Sequence, residues 1–214
     1  TPAELLSVGL AASDKAVAVP ALRRFISENA TTTPTPPDLN RARLRLARLT
    51  GAAASDDARA ILLAVRAGGT IEEKALADLV DAYILSSQKK RPEAIAAFTA
   101  LANNPALAPS LRLDAMQRAA RHAHALRDYP TAWLAFEQIE RSAPDAATAA
   151  DARMQRAACA FELVSASKGT WDETIRLCDS VFEIDGATTK TLATARLMRI
   201  EALYKQGKTP QALD

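Results

Sequence analysis

The pentapeptide MQRAA stands at 116–120 and again at 154–158. Aligning the two copies also aligns the residues after them: RHAHALRDYPTAWLAFEQIERSAPD meets CAFELVSASKGTWDETIRLCDSVFEID, with four extra residues in the second turn. Both stretches read as helix, short turn, helix. A small residue inside each second helix recurs as Ala21, Ala58, Ala94, Ala132, Thr174 and Ala212, at separations of 37, 36, 38, 42 and 38. Four residues after it comes a larger apolar side chain: Phe25, Leu62, Phe98, Phe136, then Cys178. A sixfold period of this length marks a repeat array. One short helix pair cannot bury its apolar stripe alone. Stacked pairs make a continuous core in which each unit touches chiefly its neighbours. The small residue is expected to let two helix backbones approach, and the bulky one to fill the gap between units.

The local signals are helical throughout. Thr1–Glu4 and Thr70–Glu73 each have the residues of a capping box, and Pro2 suits a first helical position. Pro36–Pro37, Pro92, Pro109, Pro130 and Pro144 fit helix beginnings or edges. Pro20 either starts a helix near Ala18 or kinks a longer one. Gly51, Gly68–Gly69, Gly169, Gly186 and Gly207 are expected at helix stops, where the left-handed cap conformation suits glycine. Apolar residues recur every three or four positions, as in Leu76, Leu79, Val80 and Tyr83, or Met116, Ala119, Ala120 and Ala123. No segment alternates with period two. The hydrophobic share of 49 % supports a real core, and only 7 glycines disfavour a fold of strands and tight turns.

EALYKQGKTPQALD at the C-terminus, with Tyr204, Gly207 and Ala212, resembles the tetratricopeptide repeat (TPR) family. So do Tyr129, Ala132, Phe136 and Pro144, and Gly9, twelve residues before Ala21. The period here is longer than that family's 34 residues, and the usual Trp is missing. The resemblance implies an all-α, right-handed α-α superhelix, a TPR-like solenoid of about five helix pairs plus a partial sixth. Its units would be 2–29, 36–67, 71–103, 109–142, 146–184 and 189–214, forming a single solenoid over 1–214. It also implies first helices lining a concave groove, and partner binding rather than catalysis. The stop at Asp214, barely into a second helix, is expected of a fragment.

Counted from the anchors, Arg118, Arg156 and Arg199 occupy equivalent places in three successive first helices, on the exposed flank of that groove. Gln117, Arg121, His124, Gln155, Glu162 and Lys205 would line its floor. Such an arginine ladder can hold peptide carboxylates; the alternative is that it only keeps the surface soluble. The family's carboxylate clamp uses a Lys/Asn/Arg set, and Gln117, Gln155 and Cys159 stand where lysine and asparagine would be needed. Arg41, Arg45 and Arg48 share one helix face, readable as a phosphate footprint or, preferably, as a solvated face. His122 and His124, two apart on a helix, point to different faces and cannot chelate one metal together. Cys159 and Cys178 read as buried apolar thiols. Trp171, in the long turn, either packs or anchors a partner, with packing preferred.

The function expected is a non-catalytic scaffold binding another protein or peptide. The alternatives are a structural spacer or assembly module of a larger envelope or multi-domain protein and, behind it, an RNA-binding helical repeat. A net charge of +2 gives no reason to expect nucleic acid. No cofactor, metal or membrane span is expected. Oligomeric state stays open, as does the compartment: cytoplasm, or periplasm and cell envelope if a leader was removed.

Overall fold

The computed structural model describes residues 1–32, 38–51 and 55–208. Among these residues the chain forms eleven α-helices and no strand. It divides into two compact units, Thr1–Ala115 and Met116–Asp214. None of the described helices is long and apolar enough to cross a membrane.

The first unit holds α1 (Pro2–Ala11), α2 (Lys15–Asn29), α3 (Leu39–Thr50), α4 (Ser55–Gly68), α5 (Ile71–Ser87), α6 (Arg91–Ala102) and the start of α7 (Pro109–Ala125). Each helix from α1 to α5 packs on the next, and α3 also touches α1 and α5. The second unit holds the rest of α7, then α8 (Tyr129–Arg141), α9 (Ala146–Ser165), α10 (Trp171–Phe182) and α11 (Thr189–Lys205). Here α9 packs on α8, α10 and α11. Along the chain α1–α10 alternate as first and second helices, and α4 runs to Gly68, one residue past the expected 67. The second helix expected in the sixth pair, with its anchor Ala212, lies outside the described residues.

The anchors are where the period puts them. Ala21, Ala58, Ala94, Ala132 and Thr174 are all buried, as are Phe25, Leu62, Phe98, Phe136 and Cys178 one turn later. In the first unit, Leu22 and Phe25 share a cluster with Leu39, Ala42 and Leu46, so the second helix of one pair packs on the first helix of the next. In the second unit Leu177, Cys178 and Val181 of α10 meet Met154 and Ala157 of α9 and Ala195 of α11. This burial of apolar surface drives the stacking.

Both expected capping boxes form, at Thr1–Glu4 and at Thr70–Glu73. Pro20 lies inside α2, whose cap is Asp14; the helix runs on through it. The glycines correct the expectation in part. Gly51 and Gly68 stand at the ends of α3 and α4, but Gly51 keeps a right-handed φ of −57°. Gly51 is needed for proximity, since a methyl there would run into the Ile84 side chain. Gly9 serves the same purpose in α1: an added Cβ would sit 2.6 Å from Leu22 Cγ.

The left-handed position is filled mostly by other residues. Lys89, Arg127 and Ser167 have φ of 60°, 61° and 61°, and Gly207 has 82°. After each, the next N–H reaches back five residues to a carbonyl: Lys90 to Leu85, Asp128 to Ala123, Lys168 to Leu163 and Lys208 to Leu203, at 2.8–3.1 Å. This Schellman closure ends four first helices alike and, after α5, α7 and α9, turns the chain into the next helix.

Candidate functional site

The residues expected to form a groove lie on α7, α9 and α11 of the second unit. Gln117, Arg118, His124, Gln155, Arg156, Glu162 and Arg199 are half-buried, while Arg121 and Lys205 are exposed. His124 and Glu162 are brought together by Tyr129. The Tyr129 hydroxyl donates to Glu162 Oε2 at 3.1 Å, and its ring meets the His124 ring edge-on at 5.3 Å. Burial, and then the Glu162 carboxylate, raise the Tyr129 pKa above its ordinary value. His124 Nε2 is buried and without a hydrogen-bond partner. Tyr129 was legible as a family position but not as the bridge between these two groups.

Two of the three equivalent arginines do not lie open on a flank. Arg156 donates to Glu140 at 2.7 Å and to Glu137 at 3.4 Å, both on α8, and its guanidinium lies 4.8 Å from the Trp133 ring centre. Arg153 joins the same Glu140 and the Ser180 carbonyl. Arg199 donates to Asp179 of α10 at 2.6 Å. These guanidiniums tie first helices to second helices. The physical reason is the acids on α8 and α10, which meet the arginine of the next pair's first helix once the pairs stack.

Trp171 packs edge-on against Phe161, with ring centres 5.1 Å apart. Cys159 and Cys178 are free and buried. Burial pushes both thiols up to about 12, helped by Glu162 and Asp179 respectively. At neutral pH they are protonated and poor nucleophiles. Among the described residues no group of three or more His, Cys, Asp or Glu could hold a metal ion.

A concavity of mixed chemistry lies in the first unit, between first helices. It is a trough of about 540 Å³ lined by α3 (Leu44, Arg45, Arg48), α5 (Leu76, Val80, Tyr83) and Leu111 of α7, with Asp38, Arg41, Glu72 and Glu73 at its rim. The sequence showed both halves separately. Arg41, Arg45 and Arg48 made one face of α3, and Leu76, Leu79, Val80 and Tyr83 one stripe of α5. All four residues of the stripe line the trough, Leu79 and Val80 buried and Leu76 and Tyr83 half-buried. Asn40 Nδ2 donates to Glu73 Oε2 at 3.2 Å near the N-terminal ends of α3 and α5. Arg48 lies 5.4 Å from the Tyr83 ring centre near their C-terminal ends. Together these contacts set the two helices side by side in the same direction. The trough therefore has an acidic end and a basic end. No family model, curated protein or solved structure matches this chain.

Proposed function

We propose that the chain is a non-catalytic scaffold that binds a protein or peptide along its first helices, built as a TPR-like right-handed solenoid. The observation that carries this reading is the trough between α3 and α5. It offers apolar floor at Leu76, Val80 and Tyr83 beside guanidiniums at Arg41, Arg45 and Arg48. A ligand segment can bury side chains there and orient itself by charge. Rigid helix pairs present these groups with little ordering to be done on binding, which favours affinity from a modest area. The two buried, protonated thiols and the ion-paired arginines of the second unit have structural roles available to them. That supports a binding module over an enzyme.

The test is a random-peptide display against the purified chain, followed by hydrogen exchange of the bound complex. Selected peptides should protect amides of α3 and α5. Failure to select any peptide, or protection confined to other helices, counts against the trough as the groove.

A second reading, an assembly module, is favoured by α11. Leu197, Ile200 and Tyr204 lie on one face of that helix and are 70 %, 44 % and 65 % exposed. Counting Arg156 as equivalent to Arg199, the same places in α9 are Met154, Ala157 and Phe161, and the first two are buried against α10 and α11. In α9 this register is covered by α10 and α11, and the helix that would follow α11 lies outside the described residues, so the stripe suits a further helix, whether the next repeat's or a partner's. Sedimentation of the purified chain and of Leu197→Asp decides: self-association lost in the variant favours assembly, and a monomer in both removes this support.

A further inference from the structure

Resting on the scaffold reading, we propose that the α3–α5 trough selects acidic segments that carry a large apolar side chain, and that it binds them in one direction. The charges divide by end. At the N-terminal end Glu73 is committed to the Thr70 backbone N–H at 2.7 Å and to Asn40, and Asp38 sits 3.8 Å from Arg41. At the other end stand Arg45 and Arg48, and among the described residues no carboxylate pairs with either. Arg45 donates from Nη2 to the Ala12 carbonyl at 3.3 Å, while its Nε is buried without an acceptor. Arg48 is exposed and rests against Tyr83. The nearby acid on α7, Asp114, accepts the Tyr83 hydroxyl at 2.5 Å.

Two guanidiniums without anions therefore flank an apolar floor of Leu76, Val80, Tyr83 and Leu111. Planar guanidiniums take carboxylates through paired N–H bonds. An apolar ligand side chain fits on the floor, and a neighbouring carboxylate reaches the exposed Arg48, with the Arg45 charge beside it. A basic residue at the other end of the ligand would meet exposed Glu72. Reversing the segment would bring like charges together at both ends, which sets the direction.

The test uses an array of short synthetic peptides in which Leu, Phe or Trp is followed by Asp or Glu. The same peptides with Lys replacing the acids, and a labelled U-rich single-stranded RNA, are the comparison probes. Selection of the acidic set is expected. Arg48→Glu should weaken it by about tenfold, the scale of one lost charge-assisted hydrogen bond. Arg48→Lys should restore part of the loss, and Glu72→Lys should abolish the gain that a basic residue at the other end of the peptide gives. Circular dichroism verifies that each variant stays folded. Peptides bound without charge preference, or indifference to Arg48→Glu, would overturn this proposal while leaving the scaffold reading in place. Retention of the RNA with no peptide bound would overturn both.

Discussion

The hairpin turns show most clearly what single residues contribute. Lys89 and Arg127 hold left-handed backbone conformations that disfavour residues with a side chain, at the place where Gly207 stands two or three repeats on. Replacing either with glycine removes that strain but loosens the unfolded chain, and the two effects oppose. At φ near 60° the first is the larger. Lys89→Gly and Arg127→Gly should each stabilise the fold by about 0.5–1 kcal/mol, read as a raised urea midpoint. Unchanged or lowered midpoints in both would show that the turn sterics are already relieved.

Thr174 is a different residue-scale case. It replaces the alanine anchor, is fully buried, and its hydroxyl has no hydrogen-bond partner. Thr174→Val keeps the methyl and drops the orphan hydroxyl, so a gain of about 1 kcal/mol is expected from the same measurement. A loss would indicate a bridging water at Oγ1.

At the scale of elements, α8 carries a buried bulky anchor and is tied to α9 by an ion-pair network. Phe136 is buried one turn after Ala132. Phe136→Ala should cost about 3–5 kcal/mol as a cavity that rigid helices cannot close. The network around Glu140 makes stability depend on pH. Burial pushes the Glu140 pKa up, but hydrogen bonds and charge from Arg156 and Arg153 outweigh it and hold it below the ordinary 4.5. A carboxylate depressed by folding contributes stability above its unfolded value and loses it as pH falls through the folded value. Trp133 and Trp171 both belong to the second unit and report its unfolding. The wild-type advantage over Glu140→Gln, measured by their fluorescence in urea, should shrink from neutral pH to about pH 3. A constant advantage would mean that Glu140 contributes by packing alone.

Elements were also the limit of what the sequence revealed. Helix identity, order and pairing were legible because they rest on caps, prolines and an apolar period, all local to the chain. Burial of Ala94, Ala132 and Phe136 could be read from the repeat itself. The fate of Arg156 could not, because its partners Glu137 and Glu140 lie on the preceding helix and face it only after the helices cross. The trough was likewise split in the sequence. Arg45 and Arg48 looked solvated and Tyr83 looked like core, and only the side-by-side run of α3 and α5 joins them. A helical period gives the face of a residue on its own helix but says nothing of what a neighbour presents to it.

At the scale of the whole molecule, the question is how far a local defect is felt. In the first unit Ala58, Leu62 and Val65 cluster with Ala77, Val80 and Ile84. In the second, Leu177 and Cys178 cluster with Met154 and Ala195. Contacts of this kind join neighbours, so stability should add up unit by unit rather than appear all at once. Both cysteines lie in the second unit and are buried, so their labelling by a thiol reagent requires that unit to open. Phe98→Ala hollows out the first unit and should leave the labelling rate of Cys159 and Cys178 close to wild type. Phe136→Ala, in the same unit as the thiols, should raise it by orders of magnitude, since about 3–5 kcal/mol corresponds to roughly 150-fold to several thousandfold in the open population. Equal acceleration by the two substitutions would mean that the chain opens as one cooperative body, and the nearest-neighbour account would then fail.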